Sequence, residues 1–349
     1  MEKPAQKKDR IFLAILVGCI ALLLGIALWQ TRATPAKRIV MERRPEGIMG
    51  TSCQLVVVIY PGEEALAEKA LQEAESLIRS IESRMSNWIE HSEVQQFNRS
   101  EVGTVTYLSP ETATVIAFAK TIHTTSRGAF DITVSPLIQL WKAAGKSGVM
   151  PTPAQIKQVR KASEWSHLSL ENNALTKTQS TLAIDLGGIA KGFAIDLALE
   201  RMRRAGVLGA LVDIGGDLRA SGLSPEKEHW GIDLRDPFSA GIRGRLPIND
   251  KAVCTSGNYA RYVEIQGRRF SHIIDPVSGY PVDKVPSVTV IGPDAMTADC
   301  WATALSVLGS QGLEMLPDNL DAYLIHEDGS VSISRMWQDH WGSALIPQN

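Results

Sequence analysis

Apolar residues are unevenly spread along the 349-residue chain, and the densest run comes first. IFLAILVGCIALLLGIALW, from Ile11 to Trp29, is uninterrupted by charge and follows Lys7, Lys8, Asp9 and Arg10. Its 19 residues at helical rise can span a bilayer core. Residues 11–29 are therefore expected to form an uncleaved transmembrane anchor behind a basic segment at 1–10. LVGC at Leu16 to Cys19 resembles a lipoprotein processing box, yet the apolar run continues for ten residues past Cys19. Lipid attachment or cleavage stays as the alternative. Basic residues lie on both sides of the run, so charge does not set its orientation. Residues 30–45 are polar, with Pro35 and Pro45, and read as a linker before a single unit at 46–345.

Within that unit the periodicity changes from segment to segment. MGTSCQLVVVIY is a strand rich in Val and Ile after a glycine turn. EEALAEKALQEAESLIRSIESRMS places Leu66, Ala70, Leu71, Ala74, Leu77, Ile78, Ile81 and Met85 three and four residues apart, the stripe of an amphipathic helix. Ser92 is positioned to cap a short helix in SEVQQFN. In SPETATVIAFAKTIHTTSRG, Ser109 is an N-cap, Pro110 takes the first helical position and Gly128 lies past the end. LAIDL, GALVDIG, WGIDLRDP, AVCTSG and SVTVIG read as strands, and AKGFAIDLALERMRRAG and AMTADCWATALSVLG as helices. RYVEIQGRRFSHIID reads as a hairpin turning at Gln266-Gly267. Strands and helices mix without a βαβ rhythm, which predicts an α+β fold of mixed, largely antiparallel sheets with packed helices.

Charge removes one function class. The net charge is −2, and leaving out residues 1–30 (four Lys/Arg, two Asp/Glu) gives 32 minus 36, or −4. A nucleic-acid binder needs a basic surface, so no nucleic-acid partner is expected. The four cysteines are isolated from one another, with no CxxC or Cys/His cluster to suggest zinc. Cys254 and Cys300 sit in apolar segments and read as small buried side chains.

Two nucleotide motifs are absent. No GxGxxG follows a strand, and Gly145-Lys146-Ser147 has Leu140 where a P-loop requires glycine. What the chain has instead is a set of Gly/Asp/Ser/Thr/His clusters, among them AIDLGGIAKGFAID. There a tight turn at Gly187-Gly188 leads into a helix near Ala190, whose free N–H groups and Lys191 favour an anion. Asp299 and Thr303 stand four apart in TADCWATAL and so share one helix face. Taken alone, most such residues are commonly structural: a helix-capping Asp, a solvated Lys, a core Trp, a hydrogen-bonded His.

The order of the clusters changes that weighting. MGT, SNW with SEVQQFN, GAFDITVSPLIQLW, IDLGGIAKGFAID, VDIGGDLRASG, TSGNYARY, HIIDPVSGYP and ADCWATAL together resemble the FAD:protein FMN transferases, the ApbE family, formerly labelled thiamine biosynthesis lipoproteins. The resemblance covers nearly all of the chain after the linker. It implies a bacterial, membrane-attached or exported enzyme, facing the periplasm, that moves FMN from FAD onto a Ser or Thr hydroxyl of a target protein. AMP is released and Mg²⁺ is used. The implied acceptors are flavin-carrying subunits of membrane redox pumps or related electron-transfer proteins.

The resemblance also assigns residues. It implies metal ligands at Asp299, Thr303 and the backbone of Gly188, a donor set of hard oxygens that suits Mg²⁺. FAD contacts fall on Met49, Trp88, Ala129, Phe130, Asp131, Asp185, Lys191, His272 and Ile274. Trp88 would stack on a ring, and Lys191 would meet the pyrophosphate. The catalytic groups would be Asp299, His272 and Lys191. Asp275-Pro276 and Gly279 read as turn chemistry. Phe193 and Asn258 depart from the family's common Tyr and Asp. Replacing the protein hydroxyl by water gives an alternative, an Mg²⁺-dependent FAD pyrophosphatase, and a non-enzymatic flavin-binding assembly protein is a third reading.

Overall fold

Side chains of the strand Cys53–Ile59 (β2) alternate between two cores, Leu55, Val57 and Ile59 facing one and Val56 and Val58 the other. That alternation organises the molecule. The computed structural model describes Gly18 and residues 37–257, 262–283 and 285–345. Apart from Gly18, the apolar run and its expected anchor lie outside the described residues, among which no helix is long and apolar enough to cross a membrane.

β2 belongs to an eight-stranded sheet in which every pairing is antiparallel. Its order is Ile39–Arg43 (β1), β2, Gly209–Ile214 (β6), Asp217–Gly222 (β7), Lys251–Gly257 (β10), Ser287–Gly292 (β13), Asp321–Ile325 (β14) and Val331–Ile333 (β15). Smaller antiparallel sheets form from Thr106–Tyr107 (β3), Leu168–Glu171 (β4) and Ala174–Lys177 (β5), from Trp230–Arg235 (β8) with Ile242–Ile248 (β9), and from Tyr262–Ile265 (β11) with Arg268–Ser271 (β12). The last pair is the expected hairpin, with Gln266 and Gly267 both at positive φ, as its two-residue turn requires. The predicted α+β class with antiparallel sheets is what the structure has.

The larger core lies under three helices, Glu64–Met85 (α1), Ala190–Arg204 (α6) and Ala295–Leu308 (α7), with α1 packed on α6 and α6 on α7. α1 buries Ala67, Ala70, Leu71, Ala74, Ile78, Ile81 and Met85, close to the stripe read from sequence. The opposite face is covered by the β8–β9 hairpin and the short helix Trp337–Trp341 (α8). Asp321 fastens α8 by accepting from Trp341 Nε1 and pairing with His340 Nδ1, both at 2.8 Å.

The other helices are Glu93–Arg99 (α2), Pro110–Thr125 (α3), Ser135–Ser147 (α4) and Pro153–Ala162 (α5). Ser92 and Ser109 cap α2 and α3 as expected. α4 runs through SPLIQLW, and α5 starts with a capping box at Thr152 and Gln155. With the β11–β12 hairpin they bury a third cluster, Leu137, Trp141, Ala144, Ile156, Ile265 and Ile274.

One expected strand is missing. LAIDL, Leu182–Leu186, is not part of any sheet; side chains and single loop carbonyls, such as that of Ile132 for the Asp185 N–H at 2.7 Å, satisfy its backbone instead. Ile184 N–H donates to Asn98 Oδ1 at 2.8 Å while Asn98 Nδ2 donates to the Ile184 carbonyl at 2.9 Å. The fully buried Lys177 donates to the carbonyls of Asn98 and Leu182 at 2.9 and 3.0 Å.

Candidate active site

The crossing of α6 and α7 is set by Gly192. A Cβ there would stand 2.3 Å from the Ala295 carbonyl oxygen and 2.7 Å from Met296 Cα, so only glycine lets α6 approach the start of α7 this closely. Asp196, one turn further along α6, accepts from the N–H groups of Ala295 and Met296, both at 2.9 Å, and from Arg219 at 2.7 Å. Asp294 caps the same helix end by accepting from Thr297 N–H at 2.8 Å. Backbone donors at the α7 N-terminus are thus satisfied by two carboxylates, and the helix is fixed in rotation.

That rotation turns Asp299 toward the glycine loop. Asp299 is buried and accepts from Gly192 N–H at 3.2 Å. Its pKa is raised by burial, partly opposed by Lys191 and by the Gly192 N–H. Lys191 Nζ stands 3.7 Å from Asp299 Oδ1 and is hydrogen-bonded to Asp217 Oδ2. Asp217, also buried, uses Oδ1 to accept from Thr255 N–H at 2.8 Å, which ties β7 to β10 at the sheet end. On the next residue, Ser256 Oγ lies 3.5 Å from Thr303 Oγ1, and Thr303 is one helical turn beyond Asp299.

The loop itself contributes close approach. Neither Gly187 nor Gly188 has positive φ, so left-handed backbone is not the reason for the pair. A Cβ on Gly188 would lie 3.0 Å from the Thr303 hydroxyl and 3.2 Å from the Phe130 ring, and one on Gly187 would lie 2.9 Å from Asp185 Oδ1. Glycine keeps this cradle open between Gly188, Thr303 and Phe130. The structure therefore brings Gly188, Lys191, Asp299, Thr303 and Phe130 together. A backbone carbonyl, a hydroxyl and one carboxylate are hard oxygen donors, and they fit a small divalent cation by chemistry. Among the described residues no three His, Cys, Asp or Glu side chains converge as a metal cluster, so any such site here relies on mixed donors.

The remaining expected site residues are placed as follows. Asp185 accepts from Gly187 N–H at 2.7 Å and so shapes the loop. Asp131 caps the turn Ile132–Val134 by accepting from Thr133 N–H at 2.7 Å, and its other oxygen is 3.3 Å from His123 Nδ1. Its pKa is raised by burial, opposed by Thr133 and His123. Ala129 and Phe130 are buried in the main core, and Ile274 belongs to the third cluster. Met49 has positive φ and donates its N–H to Glu82 at 2.8 Å. Trp88 is 83% exposed, with Lys142 Nζ 4.8 Å from its ring centroid, which rules out a core role. His272 follows β12 and is exposed. Asp275 accepts from the N–H groups of Val277 and Ser278, the expected turn chemistry. Cys53, Cys254 and Cys300 are free and buried. Burial pushes the Cys53 thiol up to about 12 and Cys254 and Cys300 well above the ordinary value, so all three are inert as thiolates.

Sequence reasoning passed over Asp217, Asp196, Asn98 and Lys177. Asp217 lies inside VDIGGDLRASG, but nothing local distinguishes it from Asp213. Only strand pairing shows which of the two meets Lys191.

Fold and site together define an α+β protein whose glycine loop and helix gather an ammonium, a buried carboxylate and hard oxygen donors at one point. The chain belongs to the ApbE family, whose model matches residues 49–324. Its similarity extends to an FAD:protein FMN transferase of Vibrio cholerae, 34% identical over 269 residues, covering 75% of this chain and 80% of that one. The FAD:protein FMN transferase of Haemophilus influenzae is 32% identical over 290 residues, covering 79% and 84%. Among solved structures, the flavin transferase ApbE from Vibrio cholerae superposes with a TM-score of 0.75 at 29% identity, covering 88% of this chain and all of that one. The apbe protein of Thermotoga maritima gives 0.77 at 29% identity, covering 86% and 99%.

Proposed function

We propose that this chain is an FAD:protein FMN transferase. It moves FMN from FAD to a Ser or Thr hydroxyl of a target flavoprotein and releases AMP. The observation that carries this reading is the convergence of Lys191, Asp299, Thr303 and Gly188 at the mouth of a helix. The N–H groups of Ala190 and Gly192 at the start of this helix are already taken, by the Leu186 carbonyl and Asp299, so the Lys191 ammonium is what suits a pyrophosphate here rather than the helix end expected from sequence. Family membership and relatives bearing that activity's name support it.

The residues divide the task. Asp299, Thr303 and the Gly188 carbonyl would hold Mg²⁺, which when bound offsets charge on the pyrophosphate oxygens. Lys191 and His272 bind the phosphates. Trp88 offers an exposed ring face to the flavin, and Ala129, Phe130 and Asp131 line the nucleotide side with Met49, Asp185 and Ile274. Asp299 accepts the proton of the attacking hydroxyl as oxygen bonds to the FMN-side phosphorus. The bond from that phosphorus to the AMP oxygen breaks.

The expected linker at 30–45 is shortened by β1, which pairs with β2, so the catalytic unit begins at Ile39 rather than at 46. It follows an anchor at 11–29, a reading supported by the hydropathy of the N-terminal run, and faces the periplasm, a reading that rests on the family resemblance. The acceptors are flavin-carrying subunits of membrane redox pumps or other electron-transfer proteins. The test is incubation of the full chain in detergent with FAD, Mg²⁺ and a candidate acceptor subunit. Covalent fluorescence and a mass gain of one FMN residue are expected on the acceptor. Free FMN and AMP without that gain would make the protein an FAD pyrophosphatase instead.

A further inference from the structure

We propose that Asp217 is a positioning residue that holds the Lys191 ammonium away from Asp299, leaving that carboxylate available to a cation. The inference rests on reading Asp299, Thr303 and Gly188 as the cation site. Lys191 has two buried carboxylates within reach and uses them unequally. It is hydrogen-bonded to Asp217 Oδ2, whereas Asp299 Oδ1 is 3.7 Å away, an ion-pair separation beyond a hydrogen bond. Asp217 is not free to follow the lysine, because its second oxygen is held by Thr255 N–H at 2.8 Å, and Thr255 is itself in the central sheet beside β13, 2.9 Å from the Thr289 hydroxyl. The sheet thus supplies a fixed anchor for the lysine. Asp299 accepts the Gly192 N–H on its other oxygen, at 3.2 Å.

Without the Asp217 charge, Asp299 is the carboxylate left within ion-pair distance of Lys191, Asp213 lying further off, and the ammonium closes on it. A cation must then displace an ammonium in hydrogen-bond contact. Closing the separation from 3.7 Å to about 2.8 Å, at an effective dielectric near 20, corresponds to about a tenfold loss in binding constant. The same geometry predicts that part of the Asp217 effect runs through Lys191: once the lysine is removed, only the direct pull of the residue 217 charge remains.

The experiment is Mn²⁺ binding to the full-length protein, read by electron paramagnetic resonance, in wild type, D217N, K191M and the D217N/K191M double variant. The expected result is a loss of binding on D217N that is about tenfold larger with Lys191 present than in the K191M background, where only the direct pull of the Asp217 charge is lost. If D217N weakens binding equally in both lysine backgrounds, Asp217 acts by its own charge and the proposal is overturned. If wild type binds Mn²⁺ and D217N binds it equally well, the proposal also fails while the cation site stands. If wild type and K191M show no binding, the cation site itself is wrong. Circular dichroism monitors the fold of each variant. Should D217N not fold, K191R decides: its planar fork reaches both carboxylates, so it is expected to bind Mn²⁺ about tenfold more weakly than wild type, and unchanged binding refutes the idea.

Discussion

Replacing Gly192 by alanine should damage the protein although it improves helix propensity. Gly→Ala inside a helix ordinarily stabilises by about 1 kcal/mol. Here the new Cβ meets backbone, at 2.3 Å from the Ala295 oxygen, 2.6 Å from its carbonyl carbon and 2.7 Å from Met296 Cα. No side chain can swing aside, so α6 and α7 must separate by about 1 Å to reach ordinary contact. Overpacking of this kind costs about 1–3 kcal/mol. The separation also stretches the two 2.9 Å bonds from Ala295 and Met296 to Asp196, and charge-assisted bonds contribute about 1.5–3 kcal/mol each. Set against the propensity gain, the net loss is roughly 3 kcal/mol. At about 2 °C per kcal/mol for a unit this large, calorimetry should find Tm lower by about 6 °C. Flavin transfer should fall by at least tenfold, since a 1 Å shift between Lys191 and Asp299 misplaces both. A Tm equal to or above wild type would refute the reasoning, because it would mean the helix crossing adapts at no cost.

Other substitutions test other parts of the molecule. Lys177→Met leaves the Asn98 and Leu182 carbonyls without their donor and should lower stability by about 2 kcal/mol in urea unfolding, with a weaker effect if water enters. Trp88→Ala, at a side chain 83% exposed, should leave Tm within about 1 °C and raise KM for FAD about fivefold; a large Tm loss would contradict its surface position. Glu75 bridges Arg43 of β1 and Arg79 of α1; burial raises its pKa, but the two guanidiniums outweigh that and hold it below the ordinary value. A lowered folded pKa contributes stability above the unfolded pKa near 4.5 that is lost as pH falls through the folded value. Glu75→Gln should thus cost about 1 kcal/mol at pH 7, with the gap to wild type closing below about pH 4.5 in denaturant titrations.

The sequence by itself determined the elements whose signals are local. The α1 stripe, the Ser92 and Ser109 caps, the Gln266-Gly267 turn and the Val/Ile-rich strand β2 depend on signals within one segment, and each formed where those signals put it, whereas the division of β2 between two cores appeared only on folding. Order of motifs was equally legible, and with it the family. Tertiary structure decided what required two distant segments. LAIDL has the composition of a strand, yet Asn98, 86 residues away, satisfies both the N–H and carbonyl of Ile184, so no sheet is needed. The glycine pair read as a tight turn, which it is, and what the sequence did not show is that Gly188 leaves room for Thr303 and Phe130. Asp213 and Asp217 are alike in one dimension, and only the register of β6, β7 and β10 places Asp217 beside Lys191 and Thr255. Hydrophobic period is written along a segment, but close approach and charge pairing are properties of surfaces that meet only after the chain has folded.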